Sequence, residues 1–166
     1  MKGYLNNKKV YLTSIGQSSD LEDTEELVLN NLDNFVYEKD LFLKANDLEK
    51  DSVVLIFVGC SIKAMASAMT TIDKELDRAK EFVERANKKE ISIICFHIGG
   101  EKRRGITSDR FIDALFSKSV FNVFLDKSDY DSYLSNLSIN NDILGYIITS
   151  DLSLEKVFKQ LLIIEA

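Results

Sequence analysis

The sequence contains no proline, only two cysteines and a single histidine. Without proline, its turns must rest on Gly, Asn, Asp and Ser. Two cysteines, Cys60 and Cys95, make no disulfide framework. With no CxxC pair and only His97, a zinc site is not expected. No GxGxxG occurs, and the GxxxxGK[ST] spacing is absent too, which argues against a dinucleotide fingerprint and a P-loop. No cofactor is therefore expected. No apolar run is long enough to cross a membrane. The start, MKGYLNNKKV, lacks the apolar centre of a secretory signal, so the chain reads as cytoplasmic unless an export signal was trimmed away. Positive charge is in deficit: the net charge of −6 argues against a general nucleic-acid binder.

What is present is an ordinary globular composition, 45% hydrophobic and 29% charged over 166 residues, enough for one domain with a real core. Residues 1–8 read as a candidate disordered tail ahead of it. Short apolar runs alternate with helical patterns. VYLTSI (10–15), SVVLIFVG (52–59), ISIICFH (91–97) and VFNVFL (120–125) read as strands; FVYE (35–38) and GYIIT (145–149) are weaker ones. Ser19-Asp-Leu-Glu22 matches a capping box for a helix reaching Leu32. A long amphipathic helix follows Thr71, with Ile72, Leu76, Ala79, Val83 and Ala86 on its apolar face. Thr107 or Ser108 and then Ser128 can cap two more helices, and Leu154, Val157, Phe158 and Leu161 mark the last. The stretch from Lys39 to Asp51 is too short for a full crossover helix and is expected to be irregular. The alternation predicts a three-layer, Rossmann-like or flavodoxin-like α/β domain: a parallel sheet of five or six strands with helices on both faces.

In such a sheet ligands bind at the carboxyl ends of the strands, near the point where strand order reverses. In the order 2-1-3-4-5, three loops meet there: GQSSD (16–20), GCSIK (59–63) and GGEKRRG (99–105). Each opens with glycine and then offers hydroxyls or cations, which suits a small anion. The candidate ligand-binding residues are Ser14, Gly16, Gln17, Ser18, Ser19, Gly59, Ser61, Lys63, His97, Gly99, Gly100, Arg103 and Arg104. Arg103 or Arg104 would grip a carboxylate or phosphate in bidentate fashion, although adjacent residues usually point apart. The bland readings stand beside these. GGEKRRG also fits a solvated turn, and His97 a strand end bonded to a backbone group. Cys60 beside His97 suggests a nucleophile pair, but a small residue filling a tight turn is the favoured reading. Met65 and Met69 fit a lid or a packed helix. Asp73 and Glu75 fit the positive end of a helix dipole, with Asp73 also able to orient a loop cation.

The blocks VYLTSIGQSSD, GCSIK followed by Asp73 and Glu75, and HIGGEKRRG followed by SDRFID together resemble the signature of a bacterial family known only as a domain of unknown function. The most specific of them is the His-x-Gly-Gly-x-x-Arg-Arg-Gly block, and the resemblance runs from about Val10 to Leu162. It implies a Rossmann-like α/β fold and no established activity; some relatives are exported. Here Ala64 and Ala66 stand where relatives carry glycines, and the spacing to Asp73 is longer. Three functions compete. The first is a binding module for a small anionic metabolite. The second is a hydrolase or transferase on such an anion with His97 as acid/base, which requires Cys60 Sγ or a serine Oγ within hydrogen-bond reach of His97. The third is an interaction module with a large apolar patch. Expected partners are a small anionic ligand, no nucleic acid and no membrane, with a homodimer as a further option.

Overall fold

The computed structural model describes residues 1–163. Six strands, β1 (Val10–Ile15), β2 (Glu38–Lys39), β3 (Ser52–Val58), β4 (Ile91–His97), β5 (Phe121–Leu125) and β6 (Leu144–Ile148), form one sheet in the order β2-β1-β3-β4-β5-β6. Every neighbouring pair is parallel. This is the expected α/β architecture, with the sixth strand present. β1 and β3 are buried along their whole length, which is why they read as unbroken apolar runs rather than as alternating ones.

The helices are α1 (Asp20–Leu27), α2 (Ile62–Ser67), α3 (Ile72–Asn87), α4 (Ile106–Phe116), α5 (Tyr133–Asn140) and α6 (Asp151–Leu161). Two apolar clusters lie on the two faces of the sheet. Ile15, Val54, Ile56, Val58, Cys95 and Phe124 pack with Phe82 of α3, Phe111 of α4 and Leu134 of α5. Leu12, Leu55, Phe57, Phe96 and Val123 pack with Leu21 of α1 and with Leu154 and Phe158 of α6. At the centre of the second face, Phe57, Phe96 and Phe158 form a stack with ring centroids 4.7 and 5.4 Å apart.

Several local expectations change. The weak strand at 35–38 shrinks to Glu38–Lys39, paired only with Tyr11 and Leu12; Phe35 leaves the sheet edge to pack on Tyr37 and Phe158. The first helix ends at Leu27, and a 3-10 turn covers Leu29–Asn31. No capping box forms at Ser19, whose hydroxyl bonds the Asp23 carboxylate instead, at 3.0 Å. α4 starts at Ile106 after Gly105, so neither Thr107 nor Ser108 is its cap. Ser128 caps no helix either: it is buried, and the Asp129 carboxylate accepts from the Leu134 and Ser135 N–H groups of α5. Thr71 does cap α3, its hydroxyl accepting from Lys74 N–H. The stretch 39–51 is irregular, with one 3-10 turn at Ala45–Asp47. Residues 1–8, the candidate tail, lie against α6: Gly3 N–H donates to Gln160 O, Leu5 N–H to Leu161 O, and Leu5 is buried.

Candidate functional site

β1 has β2 on one side and β3 on the other, so the chain reverses its direction of travel between β1 and β3. The loops after β1 and β3 are joined there by their backbones. Ser18 N–H donates to Gly59 O, Gly59 N–H to Ile15 O, and Ser61 N–H to Gly16 O. Gln17 and Cys60 form an isolated bridge. Gly16 is required by this closeness. Its φ is +93°, and a β-carbon on it would collide with the Gly59 carbonyl. The loop after β4 completes the junction. A β-carbon on Gly99 would run into Arg103 and stand 3.0 Å from Asp20 Oδ2; one on Gly59 would stand 2.7 Å from Ser18 Oγ and 3.1 Å from Asp20 Oδ2. The three loops therefore converge, and they converge on a carboxylate.

That carboxylate, Asp20 in the first turn of α1, was not among the candidate residues. The Ser-x-Asp spacing in GQSSD was its signal: Ser18 Oγ donates to Asp20 Oδ2 at 2.7 Å. Burial pushes the Asp20 carboxyl above its ordinary range, against the pull of Ser18 and of the Arg103 charge. Arg103 crosses to this side. Its Nη1 lies 3.4 Å from Cys60 O, at the long limit of a hydrogen bond, and it forms no ion pair among the described residues.

Arg104 points the other way. Its guanidinium is buried, and all five N–H groups find acceptors: Nε and Nη2 on Asp109, Nη1 and Nη2 on Asp131, and Nη1 on Ser128 O. It also stacks over Tyr133 and Tyr130, 4.9 and 5.3 Å from their ring centroids. A guanidinium has five donors, so none is left for a ligand. Gln17 is committed in the same way, its amide donating to Leu41 O and to Glu75 Oε1. Glu75 is buried and paired with Arg78, which also donates to Thr13 Oγ1, Leu43 O and Ser14 O. Glu75 therefore belongs to a buried ionic network under the loops rather than merely to a helix dipole.

Ser61 caps α2, accepting from Ala64 N–H at 3.3 Å. Lys63 and Ser19 are exposed, as is Asp73. Met65 is buried and Met69 exposed, so the pair forms no common face. Ser14 is buried with its hydroxyl unpartnered among the described residues. Its strand position puts it on the sheet face opposite His97: Ser14 aligns with Phe57 and Phe96, His97 with Phe124.

His97 is fully buried at the end of β4. Nδ1 lies 2.7 Å from Val58 O, so Nδ1 carries the proton and donates, leaving Nε2 as a bare lone pair with no partner among the described residues. Burial lowers its pKa to about 4, so the ring is neutral at pH 7. Cys60 N–H bonds Ser108 Oγ, and burial raises its thiol pKa, which keeps the sulfur protonated. No hydrogen bond joins Cys60 or a serine hydroxyl to either ring nitrogen among the described residues; Ser128 Oγ reaches only the His97 carbonyl, and accepts from Gly100 N–H. On the β5 side of the same loop, residues that include Gly99, Glu101, Lys102, Leu125, Lys127 and Tyr130 line an open cleft of about 410 Å³. Among the described residues no cluster of His, Cys, Asp or Glu is arranged to hold a metal, and no helix is long and apolar enough to cross a membrane.

Strand order and loop convergence place the chain among the doubly wound parallel α/β domains with the flavodoxin-like order 2-1-3-4-5, extended by one strand. Residues 7–162 match the family described as domain of unknown function DUF6305, and the chain belongs to that family. No curated protein matches it.

Proposed function

We propose that this protein binds a small anionic molecule, a carboxylate or a phosphate, between the loops that follow β1, β3 and β4. The observation that carries this reading is the state of Arg103. It stands at the topological switch point facing Asp20, yet it makes one marginal hydrogen bond and no ion pair among the described residues. A guanidinium in that position has donors free for a planar acid group, and the bidentate fork is the geometry that arginine offers best. Arg104 is excluded from the role by its saturated donors, and Gln17 by its bonds to Leu41 and Glu75. Ser18 is committed as well, its hydroxyl to Asp20 and its N–H to Gly59 O, so Arg103 remains as the donor of the site, with Gly99 leaving it room and Asp20 as the internal carboxylate that an incoming anion must displace or meet in its protonated form.

The hydrolase or transferase reading has less support. His97 spends its proton on Val58 O, and the Cys60 thiol stays protonated without a base beside it.

The test is thermal unfolding against a panel of carboxylates and phosphates, with the wild type beside Arg103→Ala and Arg104→Ala. A ligand that binds only the folded state adds about 2.7 kcal/mol at a hundredfold excess over its Kd. The expected result is a shift in the wild type and in Arg104→Ala, the latter from a lower starting midpoint, and its loss in Arg103→Ala, whose starting midpoint falls less than that of Arg104→Ala. A shift that survives in Arg103→Ala and vanishes in Arg104→Ala would overturn the assignment.

A further inference from the structure

The sheet ends at β6, and nothing among the described residues pairs with its outer edge. Natural sheets guard such an edge with charge, proline or a bulge. The strand LGYII has neither charge nor proline. The lack of charge extends beyond the strand. From Ser132 through α5 and β6 to Ser150, Asp142 is the one charged residue, in a chain that is 29% charged. Depletion of charge is the compositional mark of an interface core. The same strip exposes Ile139 (69%), Leu144 (57%) and Ile147 (57%).

The strip also contains a hollow. Phe124, Ser138, Ile139, Gly145 and Ile147 line a depression of about 220 Å³. It is open because residue 145 is glycine: a β-carbon there would stand 3.1 and 3.3 Å from the Phe124 ring.

We propose that β6 pairs antiparallel with β6 of a second copy of this chain, joining two six-stranded sheets across a two-fold axis. The strand is self-complementary about its central residue, Tyr146. With the axis there, Gly145 lies opposite the partner's Ile147, and Leu144 opposite the partner's Ile148. Directly opposed residues share a sheet face. Gly145 and Ile147 both lie on the face of Asn122 and Phe124, so each Ile147 is delivered into the hollow over the other copy's Gly145. Because the contact is isologous, the surface has to complement only itself.

Charge permits the same occupant. Each copy carries −6, so two copies repel wherever their acidic surfaces meet. Along this strip each copy presents one carboxylate, Asp142. In the register centred on Tyr146, Asp142 falls opposite Ser150, the N-cap of α6, beside Asp151 in its first turn, so like charges approach only at the ends of the paired strands.

Sedimentation velocity over a concentration series tests the proposal. The wild type is expected at twice 18.9 kDa, and Ile147→Lys at 18.9 kDa with an unchanged circular dichroism spectrum, since Ile147 is exposed in the monomer. Ile62→Lys, on the distant and equally exposed Ile62 of α2, is expected to stay dimeric. Tyr146→Cys in a Cys60→Ser background is expected to cross-link to a dimer on mild oxidation, because residues opposed across paired strands lie within disulfide reach. A wild type that stays at 18.9 kDa up to its solubility limit overturns the proposal and gives the edge to a different partner. A dimer that persists in Ile147→Lys overturns it as well.

Discussion

Arg103 and Asp20 press on the same α-carbon, that of Gly99. Its missing side chain leaves the space in which the guanidinium side chain and the carboxylate approach each other. A β-carbon at position 99 would stand 2.8 Å from Arg103 Cβ and 3.0 Å from Asp20 Oδ2. The backbone at Gly99 has no positive φ to defend, so the requirement for glycine is steric and not conformational. Gly99→Ala is therefore expected to move the Glu101–Arg103 turn. The cost should be about 1–3 kcal/mol, in the range of overpacked sites. A urea midpoint equal to that of the wild type would show that the turn yields freely.

Asp20 supplies a pH prediction. Its carboxyl is raised in the folded state, so between its unfolded and folded pKa the native chain binds more protons than the unfolded one. Its contribution to stability is thus fully present at low pH and is lost as pH rises through the folded value. Asp20→Asn is expected to raise the unfolding midpoint at pH 7. It should also strengthen the response to anions and reduce that response's dependence on pH, since the competing charge beside Arg103 is gone. Weaker anion binding in Asp20→Asn would mean that Asp20 helps to hold the ligand.

His97 runs in the opposite sense. Its pKa falls from 6.5 to about 4 on folding, so the unfolded chain holds the extra proton between those values. Stability is complete above pH 6.5 and drains as pH falls toward 4, by on the order of 3 kcal/mol. Asp20 and Asp113, both raised, slope the other way in the same window, so the comparison must be made against a variant. His97→Asn keeps a donor for Val58 O but does not titrate. Its unfolding free energy should be flatter than the wild type's between pH 4 and 6.5. An identical pH profile would remove His97 as the source.

Arg104 is a structural residue by its contacts. It ties the start of α4, through Asp109, to Ser128 and Asp131 ahead of α5. Lysine offers three donors from one point and no planar face, so Arg104→Lys is not conservative here. A loss of about 2–3 kcal/mol in equilibrium unfolding is expected, with the Asp carboxylates partly exposed and able to find water. A loss below ~0.5 kcal/mol would reduce the pair to an ordinary surface bridge.

The fold was largely legible in the chain because its signals are local. An unbroken apolar run such as SVVLIFV, buried on both sides, can hardly be other than a central strand, and the spacing of Ile72, Leu76, Ala79 and Val83 declares α3 without reference to anything distant. The weak strand at 35–38 was less legible, because an edge strand of two residues is set by what Phe35 finds to pack against. Ser128 looked like a helix cap because the sequence shows its neighbours in the chain and hides Gly100 and the His97 carbonyl, which it bonds in the folded protein.

The chain by itself determined the alternation of strands and helices, the glycine-led loops at the carboxyl ends and the lack of a proline or charge in the last strand. Periodicity and composition act over a few residues and survive without a partner. Only the tertiary structure gave two adjacent arginines different surroundings. The acceptors of Arg104 lie five residues away at Asp109 and twenty-seven away at Asp131. Asp20 comes to Arg103 only because β1, β3 and β4 lie side by side. A guanidinium goes where its acceptors are, and their positions follow from strand order, which no stretch of the sequence contains.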